Sequence, residues 1–137
     1  MSMFANTEEL HRIMAELWAA IKNDPDMSRK IKESKLIVQF HYRDPNGLIT
    51  VDCSDGSSFN VYTGDSDLKP IVEMFMKADV AHEFWLGKVS VPLAILTGKM
   101  VAKGPVNKAL ALLPVLKPAF EIYPDIYKKR NGTKVST

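Results

Sequence analysis

ADVAHEFWLGKVSVPLAILTGKMVAKGPVNKALALLP, residues 78–114, is the segment that decides the fold. Asp79 stands where a helix N-cap belongs, and Gly87 where that helix would stop. Pro92 interrupts, and Leu93 to Leu96 begin another helical turn, ended by Gly98. KMVAK, residues 99–103, alternates as a short strand. Gly104-Pro105 then opens a helix, since proline suits the first helical position. That helix carries Val106, Ala109, Leu110, Leu112, Leu113 and Leu116 around more than half its circumference, and Pro114 ends or kinks it. Almost nothing here does chemistry. The segment reads as a place that holds something.

Upstream, the pattern changes from period 3.6 to period 2. KLIVQFHYR (35–43) mixes β-branched and aromatic residues as a strand does. Asp44-Pro45-Asn46-Gly47 is a turn in which Pro fixes one φ and Asn-Gly supplies positive φ. Leu48 to Cys53 returns, Asp55-Gly56 signals a second hairpin, and Phe59, Val61 and Tyr62 form a third strand ended by Gly64-Asp65. Residues 71–78 alternate as a fourth strand, with Val72, Met74 and Met76 opposite Glu73, Phe75 and Lys77. Ahead of the strands, Leu10, Ile13, Met14, Leu17, Trp18 and Ile21 mark an amphipathic helix over 6–23. Asn6 and Glu9 suit a capping box, Asp24-Pro25 is the stop, and a short second helix fits 25–33. A last amphipathic piece carries Phe120, Tyr123 and Tyr127. Strands followed by helices, without strict alternation, give an α+β fold.

A chain of 137 residues has room for one ordinary core. The expected organisation is one domain over 1–137: a helical flank at 6–33, a core at 34–118, and a C-terminal helix with basic tail at 119–137. The formal net charge of +2, from 18 basic and 16 acidic residues, gives no support to nucleic-acid binding. Lys128, Lys129, Arg130 and Lys134 make the tail basic, as a solvated terminus often is. One cysteine, Cys53, excludes an intramolecular disulfide and sits where a buried structural thiol is expected. No run approaches the ~18 apolar residues of a membrane span. The N-terminal MSMFANTEEL lacks the pattern of a secretory leader, so Asn131-Gly132-Thr133 carries no expectation of glycosylation and a cytoplasmic location is expected.

The chemistry-bearing motifs fail on inspection. His11, His41 and His82 have no metal-ligand spacing with one another or with Cys53. His82-Glu83 begins like a zinc-protease motif, but Leu86 stands where the second His belongs. A phosphate loop needs Gly five residues before its Gly-Lys and Ser or Thr after it. Gly98-Lys99 has Leu93 and Met100 there; Gly87-Lys88 has His82 and Val89. Asp79 and Glu83 share a helical face, as surface carboxylates commonly do. No catalytic residue, metal or cofactor is expected.

LTGKMVAKGPVNKALALL, residues 96–113, resembles the signature of the sterol-carrier-protein-two family: a helix ending in Gly-Lys, a short strand closed by Gly, then an apolar helix. KADVAHEFWLGKVSVPLAILTG, residues 77–98, is similar to that family's passage from strand to helix, and the hairpins from 35 to 64 match its early strands in order. The likeness spans about residues 30–118. It implies an α+β fold: about five strands, mainly antiparallel, covered on one face by helices, with an apolar tunnel between the layers. It implies a small carrier that binds a fatty acid, fatty acyl-CoA, sterol or similar lipid and catalyses nothing. Two features depart from the pattern. FWLGKVSVP is unusually aromatic and Pro-broken, and the terminal Val-Ser-Thr is not the peroxisomal Ser-Lys-Leu address, which points to a bacterial-type relative.

Phe75, Trp85, Leu86, Leu93, Leu96, Met100, Leu110, Leu113 and Leu116 are the candidate ligand-lining residues. Lys88, Lys99 and Lys103 are candidates to meet a carboxylate or phosphate at a mouth. Met74, Met76 and Met100 suit a pocket of variable content, because methionine adapts its shape. A C16 tail offers about 10 kcal/mol gross on burial. A void of roughly 300 Å³ would cost about 7 kcal/mol, so the pocket is expected to be occupied or collapsed. The different-class alternative is an interaction or dimerisation module that uses the same apolar surface; a homodimer and transient membrane contact are both compatible with the pattern.

Overall fold

The computed structural model describes residues 2–129, so Arg130, Lys134 and the Asn131-Gly132-Thr133 site lie outside the described residues. Helix α1 (Thr7–Asn23) buries all six apolar positions expected of it. Its first turn is held reciprocally. Asn6 accepts from the Glu9 N–H at 2.8 Å, and the Glu9 carboxylate accepts from the Ala5 N–H at 3.0 Å. Asp24 then caps α2 (Pro25–Glu33) by accepting from the N–H groups of Asp26 and Met27, with Pro25 in the first turn.

Five strands follow: β1 (Ile37–Arg43), β2 (Gly47–Asp52), β3 (Asn60–Thr63), β4 (Val72–Lys77) and β5 (Met100–Lys103). Their order is β3-β2-β1-β4-β5. The first three make the expected antiparallel meander, and β5 pairs antiparallel with β4. Strand β4 lies parallel to β1, so the sheet is mixed. Between β4 and β5 come α3 (Ala78–Trp85) and α4 (Val91–Leu96). After β5 come α5 (Val106–Leu110), α6 (Leu113–Leu116) and α7 (Ala119–Lys128).

Register divides the sheet into two faces. Val38, Phe40 and Tyr42 align with Val72, Met74 and Met76 on β4, and Met76 aligns with Met100 on β5. This is the face the helices cover. The other carries Gln39 and His41 of β1, Glu73 and Phe75 of β4, and Val101 and Lys103 of β5.

Local details differ from the sequence expectations in three places. In the β1–β2 turn, positive φ (56°) falls on Asp44, which precedes a cis bond to Pro45. Gly47 instead opens β2 beside α1, where a Cβ would lie 2.6 Å from Leu10 Cδ2. Asp79 does not cap α3; it sits in the first turn and accepts from the Met3 N–H at 2.8 Å, tying down the N-terminal segment. The apolar helix expected after Gly104-Pro105, ended or kinked at Pro114, is two short helices, with Pro105 before the first and Pro114 in the first turn of the second. Pro114 cannot donate to the carbonyl of Leu110, so the chain breaks at 111–112 and restarts. Gly104 is required twice over: φ is +97°, and a Cβ would approach the Ile71 carbonyl oxygen to 2.1 Å.

Candidate functional site

Between the covered face and the helices lies a cavity of about 90 Å³. Its floor is the sheet: Val38, Phe40, Tyr42, Met74, Met76 and Met100. Trp18 of α1 closes one side, with Ile31 and Ser34 from the α2 end of the chain. Its roof is Trp85 and Val91 from α3 and α4, and Leu110, Leu113 and Leu116 from α5 and α6. The two indoles meet edge to face at 5.7 Å between centroids. Twenty-one residues line the space, and none of them is charged.

Few polar atoms reach it. Cys53 is buried in the wall, and burial, reinforced by the charges of Asp52 and Asp55, pushes its thiol up to about 11. Burial likewise raises the phenol of Tyr42, so both side chains are neutral at physiological pH. The indole N–H of Trp18 is buried and has no acceptor among the described residues. A buried donor without an acceptor is costly.

The histidines are each occupied elsewhere. His11 Nε2 accepts from the Leu48 N–H at 3.0 Å, pinning α1 to β2. His41 pairs with Glu73 at 2.9 Å and stacks on Phe75, on the uncovered face. His82 is buried against Phe4 and lies 2.8 Å from the Tyr123 hydroxyl. Among the described residues no cluster of three or more His, Cys, Asp or Glu could hold a metal. None of their helices is long and apolar enough to cross a membrane.

The model of the SCP-2 sterol transfer family matches residues 16–117. The chain belongs to that family. Among solved structures, sterol carrier protein 2 from Yarrowia lipolytica (apo form) is similar at 22% identity and TM-score 0.67, over 87% of this chain and 98% of that one. The sterol carrier protein domain 2 of Helicoverpa armigera aligns at 20% identity and TM-score 0.64, over 98% of both chains. Palmitated SCP2L2 from Aedes aegypti aligns at 20% identity and TM-score 0.52, over 82% of this chain and 95% of that one. At such identities the likeness carries the fold. No curated protein matches the chain in sequence.

In this SCP-2 domain, Trp85, Met100, Leu110, Leu113 and Leu116 come together in the cavity wall. The other four candidates lie elsewhere. Phe75 is on the uncovered face because strand period places it opposite Met74 and Met76. Leu86 caps the end of α3, half-buried against the core. Helix α4 turns Val91 and Ala94 inward, three apart, which swings Leu93 and Leu96 out to 57% and 81% exposure. Lys88 and Lys99 are exposed, and Lys103 lies over the Phe75 ring at 5.0 Å, on the uncovered face. Trp18, Phe40, Tyr42 and Cys53 also line the cavity and are not among the residues the sequence singles out for it. Strand parity with Met74 and Met76 was the signal available for the β1 residues, once register is known.

Proposed function

We propose that this chain is a lipid carrier that holds an apolar ligand, in particular the acyl chain of a fatty acid or a body of similar girth, in the cavity under α4–α6. The observation that carries this reading is an uncharged, almost wholly hydrocarbon cavity between sheet and helices. Burial of methylenes then supplies the affinity, at about 0.8 kcal/mol each, with no bond made or broken. Of the apolar residues of 78–114, Trp85, Met100, Leu110 and Leu113 face this cavity, whereas Leu93 and Leu96 face solvent.

Size limits the resting state. At about 10–15 Å³ per water on this measure, the space holds roughly six to nine water-sized groups, fewer than the methylenes of a C16 tail. A void of 90 Å³ costs about 2 kcal/mol. The pocket is therefore largely collapsed around its Met and Leu side chains, and a long chain requires the roof to move outward. A cytoplasmic location is part of this proposal, and fractionation of producing cells tests it.

The direct test is mass spectrometry of lipid extracted from natively purified protein, against an unrelated protein handled identically, with titration of a fluorescent fatty acid. An enriched lipid and saturable uptake support the reading. Neither signal, together with a dimer in light scattering that protects Trp85, replaces it with the contact-surface alternative.

A further inference from the structure

Charge along the chain is unevenly spread in a way that the total conceals. From Phe84 to Phe120 there are five lysines (88, 99, 103, 108 and 117) and no acidic residue. That is +5 in a chain whose formal net charge is +2, so the remainder carries −3. The run spans α4, α5 and α6, which roof the cavity, and the edge strand β5 between them. All five lysines are exposed, and none makes an ion pair among the described residues. Lys103 leans over Phe75 on the uncovered face; the other four belong to the roof and its flanks.

The same roof exposes hydrocarbon. Pro92, Leu93 and Leu96 of α4 stand in solvent, and Leu96 is the most exposed large apolar residue described. Lys88 precedes this helix and Lys99 follows it, so cations bracket the protruding leucines. Across the same helix, Val91 lines the cavity. One short helix thus has the cavity on one side and an apolar, cation-flanked ridge on the other.

We infer that this ridge is a membrane-docking face for an anionic bilayer, with Leu93 and Leu96 entering the headgroup boundary and Lys88 and Lys99 meeting lipid phosphates. Charge complementarity selects that occupant, because an acid-free run of chain that exposes its lysines is attracted to anionic lipid and gains from each lysine held near it. Exposed leucines add what a purely electrostatic contact lacks. The inference rests on the lipid-carrier reading in one respect: docking there sets the thin roof against the lipid source, where α5 and α6 must open.

Cosedimentation of the full chain with vesicles tests it. Wild type should bind vesicles of phosphatidylcholine with about one-third phosphatidylglycerol, bind pure phosphatidylcholine at least tenfold more weakly, and release as salt rises. Lys88→Gln with Lys99→Gln should weaken binding about twenty- to thirtyfold, near fivefold per lysine. Leu96→Asp should weaken it at least tenfold; so exposed a position leaves folding intact, which thermal melts verify. Lys22→Gln with Lys30→Gln removes equal charge from α1 and α2 and should change binding less than threefold. Absence of vesicle binding, indifference to Leu96→Asp, or an equal loss in the Lys22/Lys30 control would each overturn the assignment. Fluorescent fatty-acid titration without vesicles separates the two readings. Uptake without vesicle binding sinks the docking face alone, and vesicle binding without uptake sinks the carrier alone.

Discussion

The two sides of this sheet's helical cover are built differently. Helix α1 is seventeen residues long and buries Leu10, Ile13, Met14, Leu17, Trp18 and Ile21. Helices α4, α5 and α6 have six, five and four residues and together bury only Val91, Ala94 and Leu116. Helices so short do not stand without packing. The dense side therefore holds the fold, while the roof is the element whose displacement costs least. Binding and stability are separated along one chain, and substitutions can pull them apart.

The largest expected effect is on the dense side. Leu17 has no exposed surface, and Leu17→Ala should cost about 2–5 kcal/mol in urea unfolding. Leu113 lines the cavity but is only half-buried. Leu113→Ala should cost less than about 1.5 kcal/mol, because it enlarges a space already present and removes less contact. It should nevertheless alter fluorescent fatty-acid affinity, which Leu17→Ala at a temperature where it remains folded should not. Equal stability losses would break the comparison.

Much of this division was legible in the sequence. The six α1 positions, the Asp24 stop, the three-stranded meander and a fourth strand within 71–78 follow from periodicity and turn chemistry, which are local. The candidate site was half legible. Trp85, Met100, Leu110, Leu113 and Leu116 reach the wall, but Leu93 and Leu96 do not, since hydrophobicity says nothing of rotation about a six-residue helix. Phe75 shows the same limit in a strand. The alternation was plain, yet which face the helices cover depends on the parallel β1–β4 pairing, a contact between distant segments. Trp18 looked like one more core residue, because nothing local tells a core wall from a cavity wall.

Cys53 lies in the cavity wall just after β2 and can report the cavity's opening. It is 1% exposed and lines the cavity, so a reagent reaches it only when the cover opens. With the thiol raised from 9.0 to about 11, the thiolate fraction near pH 8 is about a hundredfold below that of an unperturbed cysteine. Native-state labelling by a small disulfide reagent should be much slower than labelling of the unfolded chain, and a bound fatty acid should slow it further by filling the space beside the thiol. Leu113→Ala should accelerate labelling more than a matched substitution on α1 that costs equal stability. If both accelerate it equally, opening is global and the roof has no mobility of its own.

The smallest effect concerns the pin at the dense side. His11 Nε2 accepts from the Leu48 N–H, which requires a neutral ring, and burial lowers the His11 pKa from its ordinary value of 6.5. The unfolded chain therefore takes up this proton at higher pH than the folded chain. Stability that is complete above about pH 6.5 must fall as pH drops from there toward the folded value, and level off below it. In His11→Gln the amide oxygen can still accept from Leu48 without titrating, so that part of the acid slope should vanish, a change below about 1 kcal/mol. Urea midpoints of both proteins between pH 7.5 and 5.5 measure it, and parallel curves would show that the pin contributes nothing. Fatty-acid affinity compared over the same range sharpens the division. The pin lies on α1 and β2 and the roof on α4–α6, so loosening the first by protonation should leave the second's affinity unchanged while the protein remains folded.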